Sequence, residues 1–317
     1  MNMKHLLLTA LVTGGLVFSA SGQQQLRRSQ FVTNTYAVNP AVAGTEPGTL
    51  VSSTFRHQWA GFDGAPTTLL LSAHRAIPNG LGVGALLYSD DLGGAIQQTG
   101  LELTGAYSVL LNNEDAVSFG LSLKGNQFVF DGTDLQVWHP QDASLPGTLE
   151  SSFDIDANVG MMVYGRDYYF GLSVMNLMES KLGFAGVDVD ANRLVRHYNF
   201  MGSYLYKVNK QVALQPSGLL RMTESTPIQM DVYCRAIVNG TFWGGLGFRP
   251  QDAFVVSLGM NYGELSVGYN YDITVNSNLL SAHSHEFTLG YFIPRRSAFR
   301  SRPSTGTRVR STDRILK

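Results

Sequence analysis

Beyond its first residues the 317-residue chain has no long apolar run. Nothing after Phe18 approaches the ~20 consecutive apolar residues of a transmembrane helix, so a helical membrane protein is excluded. A β-barrel is not, because alternating strands hide their hydrophobicity from a sliding window. Cysteine is nearly absent as well. The single Cys234 rules out an internal disulfide framework and any multi-cysteine metal site. Charge is sparse, at 15% of residues, while glycine reaches 34 residues, tyrosine 14 and phenylalanine 17. That balance fits a barrel with small interior positions and aromatic girdles, although a β-rich secreted protein shares it.

The two ends differ from the body. Lys4, the apolar stretch 6–18 and the small residues Ala20-Ser21-Gly22 form a secretory signal peptide, residues 1–22, with the cut before Gln23. The chain is therefore expected to be exported, and nucleic acid is not an expected partner. Residues 295–317 hold eight basic residues (Arg295, Arg296, Arg300, Arg302, Arg308, Arg310, Arg314, Lys317) and one acid, Asp313. This basic Ser/Thr/Pro/Gly-rich tail reads as solvated and disordered, with a possible role in docking an acidic periplasmic surface through charge.

Between Thr49 and Ile293 the side chains alternate with period two, which predicts fourteen strands. In 117–124 the odd positions Val117, Phe119, Leu121 and Leu123 are apolar, and the even ones are Ser118, Gly120, Ser122 and Lys124. Residues 253–260, 265–272 and 287–293 repeat the pattern. A soluble sandwich would alternate too, with its apolar face inward. Here the opposite faces are Gly and Ser with scattered Glu102, Lys124, Arg235 and Glu264, which suits a barrel lumen better than a wetted surface. Connections alternate in length. Tight turns at 78–80, 112–115, 165–167, 209–210, 239–240 and 261–263 carry Asn, Gly and Asp, residues that supply positive φ. The others, 58–66, 89–95, 128–151, 178–194, 222–226, 249–252 and 272–283, are mostly longer. The expectation is an all-β, transmembrane antiparallel β-barrel of about 14 strands of the outer-membrane type, with short periplasmic turns and longer external loops. An even strand count puts both termini in the periplasm. The division is then a periplasmic N-terminal segment 23–48, a barrel 49–294 and the tail 295–317.

Catalytic signals are weak. Gly80-Leu81-Gly82-Val83-Gly84 lacks the G-x-G-x-x-G spacing and runs on into a strand, so close packing of small lumen-side residues is the better reading. His283 and His285 share a strand face, but two imidazoles without a third ligand do not make a metal site. No G-x-S-x-G elbow is present. Cys234, on the face of Met230 and Val232, reads as a small lipid-facing residue. No cofactor is expected and the chain is not expected to be an enzyme.

The informative irregular segments lie near the mature N-terminus. Asn39-Pro40-Ala41-Val42-Ala43-Gly44 is broken by Pro40, which holds Asn39 extended. The run 56–68, across the first external loop, contains Arg56, Gln58, Trp59, Gly61, Phe62, Gly64 and Pro66. Trp59 and Phe62 there could anchor at the interface, fold into the lumen or touch a partner.

N-P-A-x-A-G followed by R-x-Q-W-x-G-F-x-G-A-P-x-T resembles the PorP/SprF family of Bacteroidetes outer-membrane proteins. The resemblance implies an outer-membrane barrel of the type IX secretion system. In gliding relatives it implies delivery or surface retention of adhesins, alongside a periplasmic peptidoglycan-binding lipoprotein and secretion-system subunits. It supplies no catalytic residues. Asn39, Pro40, Gly44, Arg56, Gln58, Trp59, Gly61, Phe62, Gly64 and Pro66 match the pattern and are the candidate partner-contact residues. Loops 128–151 and 178–194, the longest, are expected to carry most cargo contact. A passive outer-membrane porin or solute transporter is the alternative function.

Overall fold

The computed structural model describes residues 31–112, 114–133, 149–183, 193–224, 226–275 and 282–294. The expected signal peptide 1–22, the tail 295–317 and the middle of the two longest loops lie outside the described residues.

Fifteen strands follow one another: β1 (Gly48–Ala60), β2 (Thr67–Ala76), β3 (Leu81–Asp91), β4 (Ile96–Leu110), β5 (Ala116–Asp131), β6 (Leu149–Tyr164), β7 (Tyr168–Met175), β8 (His197–Tyr204), β9 (Tyr206–Lys207), β10 (Val212–Met222), β11 (Gln229–Val238), β12 (Phe242–Arg249), β13 (Ala253–Tyr262), β14 (Leu265–Thr274) and β15 (His283–Pro294). Each pairs antiparallel with its sequence neighbour, except that β8 and β9 are two parts of one stave, interrupted at Leu205 and both laid against β10. β15 returns to β1 over Gly48↔Pro294 to Ala60↔His283, closing a 14-stave barrel with no free edge at the seam.

Closure turns the alternation into an inside and an outside. On β5, Phe119, Leu121 and Leu123 are more than half exposed, while Ser118, Ser122 and Lys124 are buried. Large apolar side chains face outward on every strand, from Val51 and Phe55 on β1 to Leu289, Tyr291 and Ile293 on β15. A monomer in water rarely exposes more than a few hundred Å² of contiguous apolar surface. A complete ring of it belongs against hydrocarbon, where only structures that satisfy all their backbone groups persist. The soluble-sandwich alternative fails here, since its apolar faces would be the buried ones. Cys234 is on this outer face, as read.

The short turns are built as their residues suggest. Asn79 (φ 63°) and Asn239 (φ 52°) take the left-handed conformation, each followed by a glycine. The Asn112 and Asn209 side chains instead accept hydrogen bonds from backbone N–H groups two and three residues on. Several boundaries shift by one to a few residues. β13 runs through Tyr262, so the last tight turn is residues 263–264, and Glu264, expected on the lumen face, is exposed in that turn.

Replacing Leu121 with Arg should destabilise insertion by about 2–4 kcal/mol if the residue sits at mid-bilayer. Reversible denaturant titration in lipid vesicles measures this. A change near zero would mean that the side chain does not face hydrocarbon.

Candidate functional site

Residues 31–46 were expected in the periplasm as part of 23–48. They lie inside the barrel instead, almost all of them buried, against the short-turn half of β2–β7. The reason is chemical: Phe31, Val32, Tyr36, Val38 and Val42 form one apolar cluster with inward-facing Leu70, Leu86, Met162, Tyr164, Tyr169, Leu219 and Tyr233. Burying that surface outweighs the cost of ordering the segment.

Two short 3-10 helices, Thr35–Ala37 and Pro40–Val42, give the plug its shape. Asn39 holds it. Extended before Pro40, its side-chain oxygen accepts from the Ala41 N–H (2.9 Å), and its Nδ2 donates to the Met161 and Leu172 carbonyls (3.2 and 3.0 Å) on paired residues of β6 and β7. The wall beneath is glycine where the plug touches it. A Cβ on Gly160 or Gly171 would collide with the Asn39 side chain, one on Gly120 with the Pro40–Ala41 backbone, and one on Gly84 with the Tyr36 ring. Gly44 is constrained twice: its φ is +78°, and a Cβ would fall 2.5 Å from the Gly82 Cα. Polar groups finish the seat. Tyr36 Oη and Thr104 Oγ1 are 2.7 Å apart, Asn34 donates to Ser72 (3.1 Å), the Gly44 N–H donates to His74 Nδ1 (3.4 Å), and Ser173 donates to the Val38 carbonyl (2.7 Å). Beside the plug, Thr33 and Asn34 border a small cavity of about 50 Å³ whose other walls include Ser52, Thr54, Arg235 and Thr288.

The long-loop half of the lumen is charged. Arg56 donates to Asp272 (2.8 Å) and Glu286 (3.2 Å). Arg249 reaches Asp231 (2.9 Å) and Asp252 (2.6 Å), and Arg221 also pairs with Asp231 (3.0 Å). This lattice ties β1, β10, β11, β12, β14 and β15 together inside the wall. Across the lumen Lys124 bonds Asn176 and is flanked in register by Glu102 and Asp156. Charges removed from bulk water persist only in such company.

The remaining motif residues sit at the other end of β1. Trp59 takes φ +53°, rare for a bulky side chain, at a bulge between His57 and Ala60, and its N–H donates to Ser284 Oγ (3.1 Å). The Gln58 N–H closes the hairpin on the Pro66 carbonyl (2.9 Å), Gly61 and Gly64 have positive φ, and Phe62 is 48% exposed. The hairpin leans on the β3–β4 loop, where a Cβ on Gly93 would overlap the Gly64 carbonyl.

The ten motif residues therefore separate. Asn39, Pro40 and Gly44 build the plug, Arg56 anchors the lumenal lattice, and Gln58, Trp59, Gly61, Phe62, Gly64 and Pro66 shape the rim at the long-loop end. Only the rim group is open to a partner. Sequence reasoning missed the seat, although inward-facing glycines near the short-turn ends of β3, β5, β6 and β7 were a usable signal. The small-residue reading of residues 80–84 held, and the object packed there is the plug. His283 and His285 lie outward beside Tyr269 and Tyr271, with Tyr269 Oη 2.7 Å from His285 Nδ1. Among the described residues no group of three or more His, Cys, Asp or Glu is arranged to hold a metal.

A family model described as "Type IX secretion system membrane protein PorP/SprF" matches residues 20–291. A comparison with curated proteins found no match. Among solved structures the chain is similar to the toluene transporter TbuX of Ralstonia pickettii (8% identity, 81% of this chain and 92% of that one, TM-score 0.49). It is also similar to the CymD monoaromatic hydrocarbon channel (10%, 87% and 96%, 0.48) and the KdgM porin (10%, 76% and 98%, 0.38).

Two substitutions test the interior. Arg56→Ala strands the buried Asp272 and Glu286 carboxylates and should cost about 3–5 kcal/mol in unfolding free energy. Gly160→Val should unseat Asn39, seen as faster hydrogen exchange and proteolysis across residues 31–46 with the barrel intact. Unchanged protection there would mean the plug does not depend on this seat.

Proposed function

Because the chain belongs to the PorP/SprF family of type IX secretion system membrane proteins, we propose that this outer-membrane barrel works as a plugged, non-enzymatic platform for secretion or surface attachment of cargo proteins such as adhesins. The plug carries the reading. A lumen whose short-turn half is filled by the chain's own Asn39-anchored segment is ill suited to passing solute. The useful surfaces are then the two ends. The external end offers the Trp59–Phe62 rim and the long loops to cargo; the periplasmic end offers short turns and termini to secretion-system subunits or a peptidoglycan-binding lipoprotein.

Each part has its own measurement. Purified protein in a planar bilayer should be silent, and deletion of residues 31–46 should produce steady conductance; an equally conducting full-length chain would favour the porin or solute-transporter reading. Phe62→Asp, with the barrel folded, should lower surface display of secreted protein, as should deletion of residues 134–148 or 184–192. Normal display in all three variants would remove the external rim from the account. Truncation after Pro294 should weaken pull-down of periplasmic partners at low salt, and unchanged capture would make the basic tail inert.

A further inference from the structure

We propose that the outward rung Tyr271–His285–His57, with His283 beside it, is a headgroup site on the barrel wall that holds the phosphate of an outer-leaflet lipid. The inference is independent of the platform reading and needs only a barrel that faces lipid.

Histidine is scarce in this chain, at seven residues, and its placement is uneven. Of the described ones, His74 and His197 are buried toward the lumen. The others, His57, His283 and His285, face outward, and all three meet at the seam where β15 closes on β1. Register makes the grouping tight. His285 stands opposite His57 on one side and opposite Tyr271 on the other, and His57 stands opposite Thr67 of β2. His283 lies two residues beyond His285 on the same face, and the Tyr271 ring centre is 5.3 Å from that of each.

Depth follows from the rung beneath. Its outward residues are Tyr269, Phe287, Phe55 and Leu69, again directly paired. One step toward the long loops, β15, β1 and β2 change together from Phe287, Phe55 and Leu69 to His285, His57 and Thr67. That change marks the edge of the apolar band. Just past it Trp59 opens the rim hairpin. Tryptophan and tyrosine collect at the membrane–water boundary, because one end of the ring is apolar and the other wet. The histidine rung thus lies at the level of lipid headgroups.

Chemistry selects among what is found at that level. Tyr269 Oη lies 2.7 Å from His285 Nδ1, which leaves His285 Nε2 for another partner. His283 Nε2 and both His57 ring nitrogens make no hydrogen bond to a described residue. No carboxylate faces outward among the described residues of β14, β15, β1 or β2: Asp272 and Glu286 turn to the lumen, where Arg56 holds them. Imidazoles without an acid beside them present N–H donors and, on protonation, positive charge. That complements a phosphate carrying net negative charge better than a zwitterionic headgroup. Phosphate oxygens accept from several donors at once, and a lipid brings them in with the acyl chains that cover Phe55 and Phe287. A metal is a poorer occupant, since no three His, Cys, Asp or Glu among the described residues are arranged to hold one. Held here, a lipid phosphate would fix the height of the β1–β15 seam in the membrane, directly beneath the hairpin that carries Trp59 and Phe62.

The test titrates the purified barrel, in a neutral detergent, with phosphatidic acid or with phosphatidylcholine of the same chains, and reads retained lipid by native mass spectrometry. We expect phosphatidic acid to be held about tenfold more tightly than phosphatidylcholine. His57→Gln, His283→Gln and His285→Gln together should abolish that preference. Arg75→Gln, exposed on β2 near the short turns, should leave it unchanged. Heat-dependent gel migration checks that each variant is folded. If the triple variant folds poorly, His57→Gln alone should lower the preference about threefold and His57→Lys should keep it. Equal retention of the two lipids, a preference that survives the histidine variants, or an equal loss in Arg75→Gln would overturn the proposal and leave the rung an ordinary interfacial girdle. Excess inorganic phosphate should fail to displace the lipid, and full displacement would mean a site for the free ion instead.

Discussion

Hydrocarbon supplies no hydrogen bonds, and that single constraint organises the molecule. Every backbone N–H and C=O at membrane depth must find a partner in the protein, which forces the strands to close through the β1–β15 ladder. Closure fixes which side chains look outward, and the apolar ones do so on every stave. The same closure gathers the small and polar side chains into a confined interior that must be filled, hydrated or paired.

The interior solves that problem in two ways. Near the short turns it is filled by residues 31–46, and the fit depends on removing Cβ atoms: the glycines at 82, 84, 120, 160 and 171 let a peptide backbone, the Tyr36 ring and one asparagine lie directly on the wall. Near the long loops it is paired, through the Arg56–Asp272–Glu286 and Arg249–Asp231–Asp252 contacts. Plug and lattice together make the interior a structural core, which leaves the two rims as the surfaces available for assembly. An organisation of that kind suits a component of a secretion machine better than a conduit.

Motif residues that look continuous in the chain do different work. Asn39 and Arg56 are seventeen positions apart, yet one caps carbonyls on β6 and β7 and the other neutralises acids on β14 and β15. Trp59 and Phe62, only a few residues further, stand at the rim. Spacing along the sequence marked these residues as unusual. It could not say whether each pointed at a partner or at the protein's own wall.

Strand number, the inside and outside faces and most turn positions were legible because period-two alternation and Asn/Gly turn chemistry are local properties, and the family was legible through its resemblance in the motifs at residues 39–44 and 56–68. The plug was not, because its seat is assembled from glycines on β3, β5, β6 and β7, brought together only by barrel closure. The partners of Arg56, more than 200 residues away, were hidden for the same reason. Local patterning thus determined that a barrel forms and which way it faces. Closure alone decided that residues 31–46 lie inside it, because the surface that seats them exists only once the staves meet.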